Sequence, residues 1–151
     1  VDQENGLKWI TAAATSGFTP AQNLLARSII EDADSNNRDK AISILEDASA
    51  SGDFYSKIMI AWELATAENM TQVNGNQALD LLKSDSGNYY DAIRIHETRA
   101  AAFAATGNFS KAITHQKKGL KLSKGNNWNI PKMNERLLLY QNKKRYVGQY
   151  Y

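Results

Sequence analysis

Two stretches of the chain repeat one another at an offset of 35 residues, and this offset constrains the fold more than any single motif. Asp2 falls on Asn37, Trp9 on Ile44, Ile10 on Leu45, Ala13 on Ala48 and Gly17 on Gly52. The register survives the corner, because Ala21, Leu24, Leu25 and Ala26 fall on Ser56, Met59, Ile60 and Ala61. A third copy begins at Asn74 with an offset of 37, where Asn74-Gly-Asn-Gln-Ala78 parallels Asn37-Arg-Asp-Lys-Ala41 and Leu79, Leu81 and Leu82 parallel Ile42, Ile44 and Leu45. Within each copy apolar residues recur at the three- and four-residue spacing of a helix face. A repeat of two helices and this length cannot bury its apolar face alone, so neighbouring copies stack, and the expected fold is all-α, an α-α superhelix.

Local signals place the helix ends. Asp2 is positioned to cap the first helix, Thr19 to cap the second with Pro20 in its first turn, and Asn37 to cap the third. The most complete hairpin spans residues 93–124. Ile93, Ala100, Phe103 and Ala104 precede its turn, and Phe109, Ala112, Ile113, Leu120 and Leu122 follow it. Gly107 ends the first helix by taking a left-handed conformation and Asn108 caps the second. A last helix over 131–142 carries Met133, Leu137, Leu138 and Tyr140, with Lys132, Asn134, Glu135 and Arg136 opposite them, and is expected to close the array as a cap with one polar face. The end of the chain, Val147 to Tyr151, has no periodicity and is expected to be flexible or packed on the cap by its tyrosines.

The hairpin at 93–124 resembles a tetratricopeptide repeat, whose small-residue core is matched by Ala100, Phe103, Gly107, Phe109, Ala112 and Gly119. It departs from that pattern at His96, Arg99 and Lys124, where the family has an aromatic, a leucine and a proline. Ala21-Gln-x-Leu-Leu-Ala26, Asn37-x-x-Lys-Ala41, Ala48 and Gly52-Asp53 resemble the related Sel-like repeat, with Ile29 in place of its aromatic. The resemblance implies one bacterial-type domain over 1–151 with Sel-like repeats over 1–87, a tetratricopeptide-like unit over 88–124, a capping helix over 125–142 and a tail over 143–151. It implies a right-handed solenoid of helix-turn-helix repeats. The implied function is that of a non-enzymatic scaffold or adaptor holding a protein or peptide segment in a concave groove. The first helix of each pair, over 20–31, 54–67 and 89–106, would line that groove with Gln22, Arg27, Lys57, Glu63, Arg94, Glu97 and Ala101. These residues mix both signs of charge, which disfavours capture of an acidic C-terminal peptide by a cluster of Lys, Asn and Arg.

Charge is segregated along the chain. Residues 1–110 hold 8 Lys or Arg against 15 Asp or Glu, a balance of −7, and residues 111–151 hold 10 against Glu135 alone, a balance of +9. Lys117, Lys118, Lys121, Lys124, Lys143, Lys144 and Arg145, interleaved with Trp128, Tyr140 and Tyr146, give the alternative function, an anion-binding or nucleic-acid-binding module. The opposed charges also favour weak, salt-sensitive head-to-tail association between copies.

Catalytic and metal-binding patterns are sparse. His96-Glu97 has no second histidine at i+4, so His96 is read as a packing residue and His115 as solvated on a lysine-rich face. Asp32-Ala-Asp34-Ser-Asn36 matches the first, third and fifth ligands of a calcium loop, but the sixth position is Asn37 and the twelfth Ser43, so it reads as a polar connector. With no cysteine the chain has no disulfide or thiolate site. No catalytic residue, metal or cofactor is assigned, and an enzyme is a third class that substitution of His96 and Glu97 would test. No run of about 20 apolar residues suits a bilayer, so no membrane insertion is expected. Neither a starting Met nor a secretory segment is present, and the expectation is a piece of a longer solenoid or a mature exported protein, in the bacterial periplasm or cytoplasm with periplasm preferred.

Overall fold

The computed structural model describes residues 3–32, 37–67, 72–84, 89–125 and 128–148. Among them are eight helices and no strand: α1 Gln3–Thr15, α2 Thr19–Glu31, α3 Arg38–Ala50, α4 Phe54–Thr66, α5 Gln72–Leu81, α6 Tyr89–Ala105, α7 Phe109–Leu122 and α8 Ile130–Gln141. The expected Asp2 cap, Asp34 and Asn36 of the connector, and residues 149–151 of the tail lie outside the described residues. No described helix is long and apolar enough to cross a membrane. The chain divides into two compact units, Val1–Ile60 and Ala61–Tyr151.

In the first unit α2 packs against both α1 and α3. The contact is made largely by alanines, Ala14, Ala21, Ala26, Ala41 and Ala48, with Leu45 fully enclosed. The repeated sequence produces a repeated turn. Gly17 at φ +86° and Gly52 at φ +93° each end a helix in the left-handed region, and the following residue bonds back across the last turn, Phe18 N–H to the Ala13 carbonyl at 3.1 Å and Asp53 N–H to that of Ala48 at 3.2 Å. The second unit uses the same device at Gly107, with Asn108 N–H donating to the Phe103 carbonyl at 2.8 Å.

In the second unit α6 packs against α5 and α7, and α7 against α8. Ala100, Ala104, Ala112 and Tyr140 form an enclosed cluster, with Phe103, Phe109, Ile113, Leu139 and Tyr146 packed on it. Asn108 caps α7, its side chain accepting from Lys111 N–H, and Asn129 caps α8 by accepting from Lys132 N–H.

Several expected details are corrected. Phe18, not Thr19, holds the cap position of α2, and its extended backbone lets its own carbonyl accept from Ala21 and Gln22 N–H without any side-chain cap. Asn37 precedes α3 but already has near-helical dihedrals, which keep its side chain from bonding the first-turn amides. Helix α5 starts at Gln72, ahead of the expected Asn74. This places Gly75 against the end of α6, where a Cβ would meet the Ala102 carbonyl at 3.2 Å and Thr106 Cγ2 at 2.9 Å. The cap helix is rotated from its expected setting: Met133, Arg136 and Tyr140 face inward, while Leu138 is 59% exposed.

Candidate functional site

The seven residues expected to share one groove are distributed over different environments. Gln22, Glu63, Glu97 and Ala101 are buried, and Arg27, Lys57 and Arg94 are half-buried. Helix α2 splits its two members between opposite sides. Arg27, with Nε 3.5 Å from Glu31 Oε1, lines a cavity of about 390 Å³ with Pro20, Asn23, Leu24, Asp53 and Tyr55, whereas Gln22 points into a different and larger one. Lys57 Nζ lies 6.0 Å from the Phe54 ring centre.

The larger cleft, about 670 Å³, lies over α2 between α1 and α3. Each helix contributes one stripe: Leu7, Thr11 and Thr15 from α1, Gln22, Leu25 and Ile29 from α2, and Lys40, Ile44 and Asp47 from α3. Spacings of three, four and seven put each set on one helix face. The hydroxyls of Thr11 and Thr15 donate at 2.8 Å to the carbonyls of Leu7 and Thr11, so toward the cleft these oxygens can only accept. Gln22 is 8% exposed, and its buried Oε1 has no donor among the described residues.

On the other side of α2 a polar network joins it to the start of α4. Asp53 Oδ2 accepts from Asn23 Nδ2 at 2.8 Å and from Ser56 N–H at 2.9 Å, and the Ser56 hydroxyl donates to it at 2.5 Å. Burial alone would raise the Asp53 pKa. The bonds from Ser56 and Asn23 favour the carboxylate more and hold it below its ordinary value.

The second unit is organised around an enclosed ion pair. Glu97 on α6 and Arg136 on α8 meet at 2.5 Å with side chains 1% and 3% exposed. Trp128 Nε1 donates to the other Glu97 oxygen at 2.9 Å, and Arg94 lies 5.0 Å from the Trp128 ring centre. The Arg136 guanidinium lies 4.9 Å from the ring centres of both Trp62 and Tyr146. Burial pushes the neighbouring Tyr140 phenol well above its usual range, a shift that Arg136 opposes and Glu97 and Tyr146 reinforce. Residues 145–148 complete the cluster by covering the end of α4. Arg145 donates to the Ala67 carbonyl at 2.9 Å, Gly148 N–H to that of Thr66 at 3.2 Å, and Trp62 Nε1 to the Gly148 carbonyl at 3.3 Å. The first two bonds satisfy carbonyls at the end of α4 that a helix C-terminus leaves unpaired.

The basic positions are therefore not equivalent. Lys117, Lys118, Lys121, Lys124, Lys143 and Lys144 are exposed, while Arg145 is turned into the fold. His115 is also corrected: it is half-buried, with Nδ1 3.0 Å from Nδ1 of His96 and its ring stacked on Phe103 at 5.3 Å. Burial, then the charges of His96, Arg99, Lys118 and Lys111, lower its pKa to about 4.

Trp62, Trp128 and Arg136 were not expected as a group. The available signal was an arginine three residues after Met133 and four before Tyr140, inside a buried stripe, which calls for a buried anion. Comparison with protein-family models, with curated proteins and with solved structures gave no match. The resemblance to tetratricopeptide and Sel-like repeats rests on the motif residues of this chain.

Proposed function

We propose that this chain is a non-enzymatic interaction module of the helical-repeat type, which holds a peptide segment of another protein against its helices. The observation that carries the reading is the three-helix cleft of the first unit, whose lining combines apolar side chains with hydrogen-bonding groups and is large enough to take several residues of chain. The polar groups of the second unit support it from the other side. Glu97, Arg136, His96 and His115 are engaged with one another in pairs that hold helices together. Screening the full chain against an array of peptides of varied charge, with crosslinking to map the contact, tests the reading. Capture of a peptide subset crosslinked to α1–α3 is the expected result, and uniform failure to bind any peptide would refute it.

The second reading, an anion-binding or nucleic-acid-binding surface, draws on the exposed Lys117, Lys118 and Lys121 of α7 together with Lys124, Lys143 and Lys144. Affinity for single-stranded RNA or DNA that falls steeply with salt would favour it, and no binding at low salt would remove it.

A further inference from the structure

The chemistry of the cleft in the first unit specifies its occupant more closely, an inference that rests on the peptide-binding reading. Short connections join α1 to α2 and α2 to α3, so successive helices reverse direction. Thr15, Gln22 and Asp47 accordingly share one end of the cleft, and Asp32, Asn37 and Lys40 share the other. The first end offers three acceptors. The Thr15 hydroxyl proton is committed to its own helix, Asp47 is an acceptor only, and Gln22 Oε1 is buried without a donor among the described residues. Between the ends lie Leu25, Ile29 and Ile44, an apolar floor. Gln22 on α2 and Asp32 just past its end are ten residues apart, about 15 Å at the helical rise, which is the length of four or five extended residues. The first unit as a whole carries 5 Lys or Arg against 9 Asp or Glu over residues 1–60, a balance of −4.

We propose that this cleft binds an extended, arginine-bearing segment of another protein, the guanidinium donating to Gln22 Oε1 beside Asp47 and alternate apolar side chains lying on Leu25, Ile29 and Ile44. Arginine fits better than lysine because its planar fork supplies several donors at once and is less strongly hydrated. In an extended chain alternate residues share a face, so an arginine at one position and leucines two and four residues on all reach the cleft together.

The test uses the full chain and a fluorescein-labelled, terminally blocked peptide of sequence Arg-Ala-Leu-Ala-Leu, read by anisotropy at low salt. A control peptide carries citrulline, which is neutral, in place of arginine. The arginine peptide is expected to bind at least about tenfold more tightly than the control, a difference of about 1.4 kcal/mol. Gln22→Leu is expected to weaken binding by a similar factor while keeping or raising the melting temperature, because it removes a buried acceptor that lacks a donor. A residue with only a structural role would not combine a loss of binding with a gain of stability. Asp47→Asn, at an exposed position, provides a second variant that is expected to weaken binding and reduce its salt dependence. Equal binding of the two peptides, no binding up to about 1 mM peptide, or unchanged affinity in both variants would overturn the inference. A monomer–dimer equilibrium abolished by Gln22→Leu would overturn it in favour of a second copy as occupant. The general reading fails separately, when no member of the varied peptide array binds.

Discussion

Replacing Arg136 by methionine isolates the interaction on which the second unit depends. The substitution keeps an unbranched stem of similar reach but takes the Arg136 cation away from the Glu97 carboxylate, 1% exposed. Breaking a buried pair by removing one partner costs about 3–5 kcal/mol, because the remaining charge stays out of water. Loss of the guanidinium from between Trp62 and Tyr146 removes two cation–π contacts of about 0.5–2 kcal/mol each, and sulfur against the same rings returns about 0.3–1.5 kcal/mol. Loss of that buried cation therefore decides the outcome, at about 4 kcal/mol, a third or more of the stability of an ordinary domain. With a urea slope of about 2 kcal/mol per molar, the unfolding midpoint should fall by about 2 M. Trp62 and Trp128 sit in the cluster and Trp9 is 76% exposed in the other unit, so loss of the blue-shifted part of the emission reports the second unit. That local signal also avoids assuming that both units unfold together. Replacing both charges, as Glu97→Leu with Arg136→Met, should recover most of the loss, since no unpaired ion remains. A midpoint shift below about 0.5 M in the single variant, or a double variant as unstable as the sum of the two single ones, would refute the reasoning.

Three further outcomes follow from the geometry. Gly75→Ala gains about 1 kcal/mol of helix propensity but forces its Cβ against the Ala102 carbonyl and Thr106 Cγ2, at a cost of about 1–3 kcal/mol, so the melting temperature should fall; a rise would mean that α5 does not meet α6 there. Asp53→Ala should cost about 2 kcal/mol in chemical denaturation by removing the acceptor shared by Asn23 and Ser56, and because the Asp53 pKa is lowered in the fold, its contribution is present above the ordinary carboxylate value and lost as pH falls through the folded one; an unaltered midpoint would contradict the network. His115 has a folded pKa of about 4 against an ordinary 6.5, so the unfolded chain takes up its proton first and stability should decline by about 1 kcal/mol between pH 7 and pH 5, with the half-exposure of the ring setting that reduced size. His115→Gln should flatten the decline, and equal pH dependence in both proteins would exclude the histidine as its source.

The helices were legible because each repeats a local rule. Glycine at 17, 52 and 107 marks the same left-handed stop, and alanines at three- and four-residue intervals mark the faces that pack closely. What periodicity did not show was partner choice across distance. By polarity Arg136 belongs to a solvated face, as a charged residue usually does, yet Glu97, 39 positions earlier, supplies the anion that makes its burial tolerable. Polarity alone places Leu138 on the inward face of α8, whereas the fold leaves it 59% exposed. His115 was misplaced for a similar reason: the lysines around it are exposed, but the ring reaches back across the hairpin to His96 and Phe103. Gln22 was singled out on α2 as a groove residue, while its separation from Arg27 depends on which neighbouring helix each faces, information that exists only after packing.

The two units differ in what encloses them, and that difference bears on where a ligand acts. Among the described residues, the largest fully buried side chains of the first unit are Leu45 and Ile58, its helix contacts being otherwise mostly alanine, whereas Trp62, Tyr140, Leu82, Ile93, Ile95 and Met133 belong to the second. Burial of a large apolar side chain contributes about 1.5–3 kcal/mol and alanine much less, so the first unit has less to oppose its chain entropy. It also leaves Leu7, Trp9, Phe18 and Leu24 in water, at 47%, 76%, 58% and 39% exposure. Native-state hydrogen exchange should therefore find the amides of α1–α3 opening at lower free energy than those of α6–α8. A ligand in the cleft over α2 binds the folded form alone and raises the first unit's stability by an amount set by its concentration relative to Kd, up to about 2.7 kcal/mol at a hundredfold excess over Kd. Saturating peptide should then slow exchange in α1–α3 and leave α6–α8 unchanged. Protection gained equally in both units, or in α6–α8 alone, would place the binding site elsewhere.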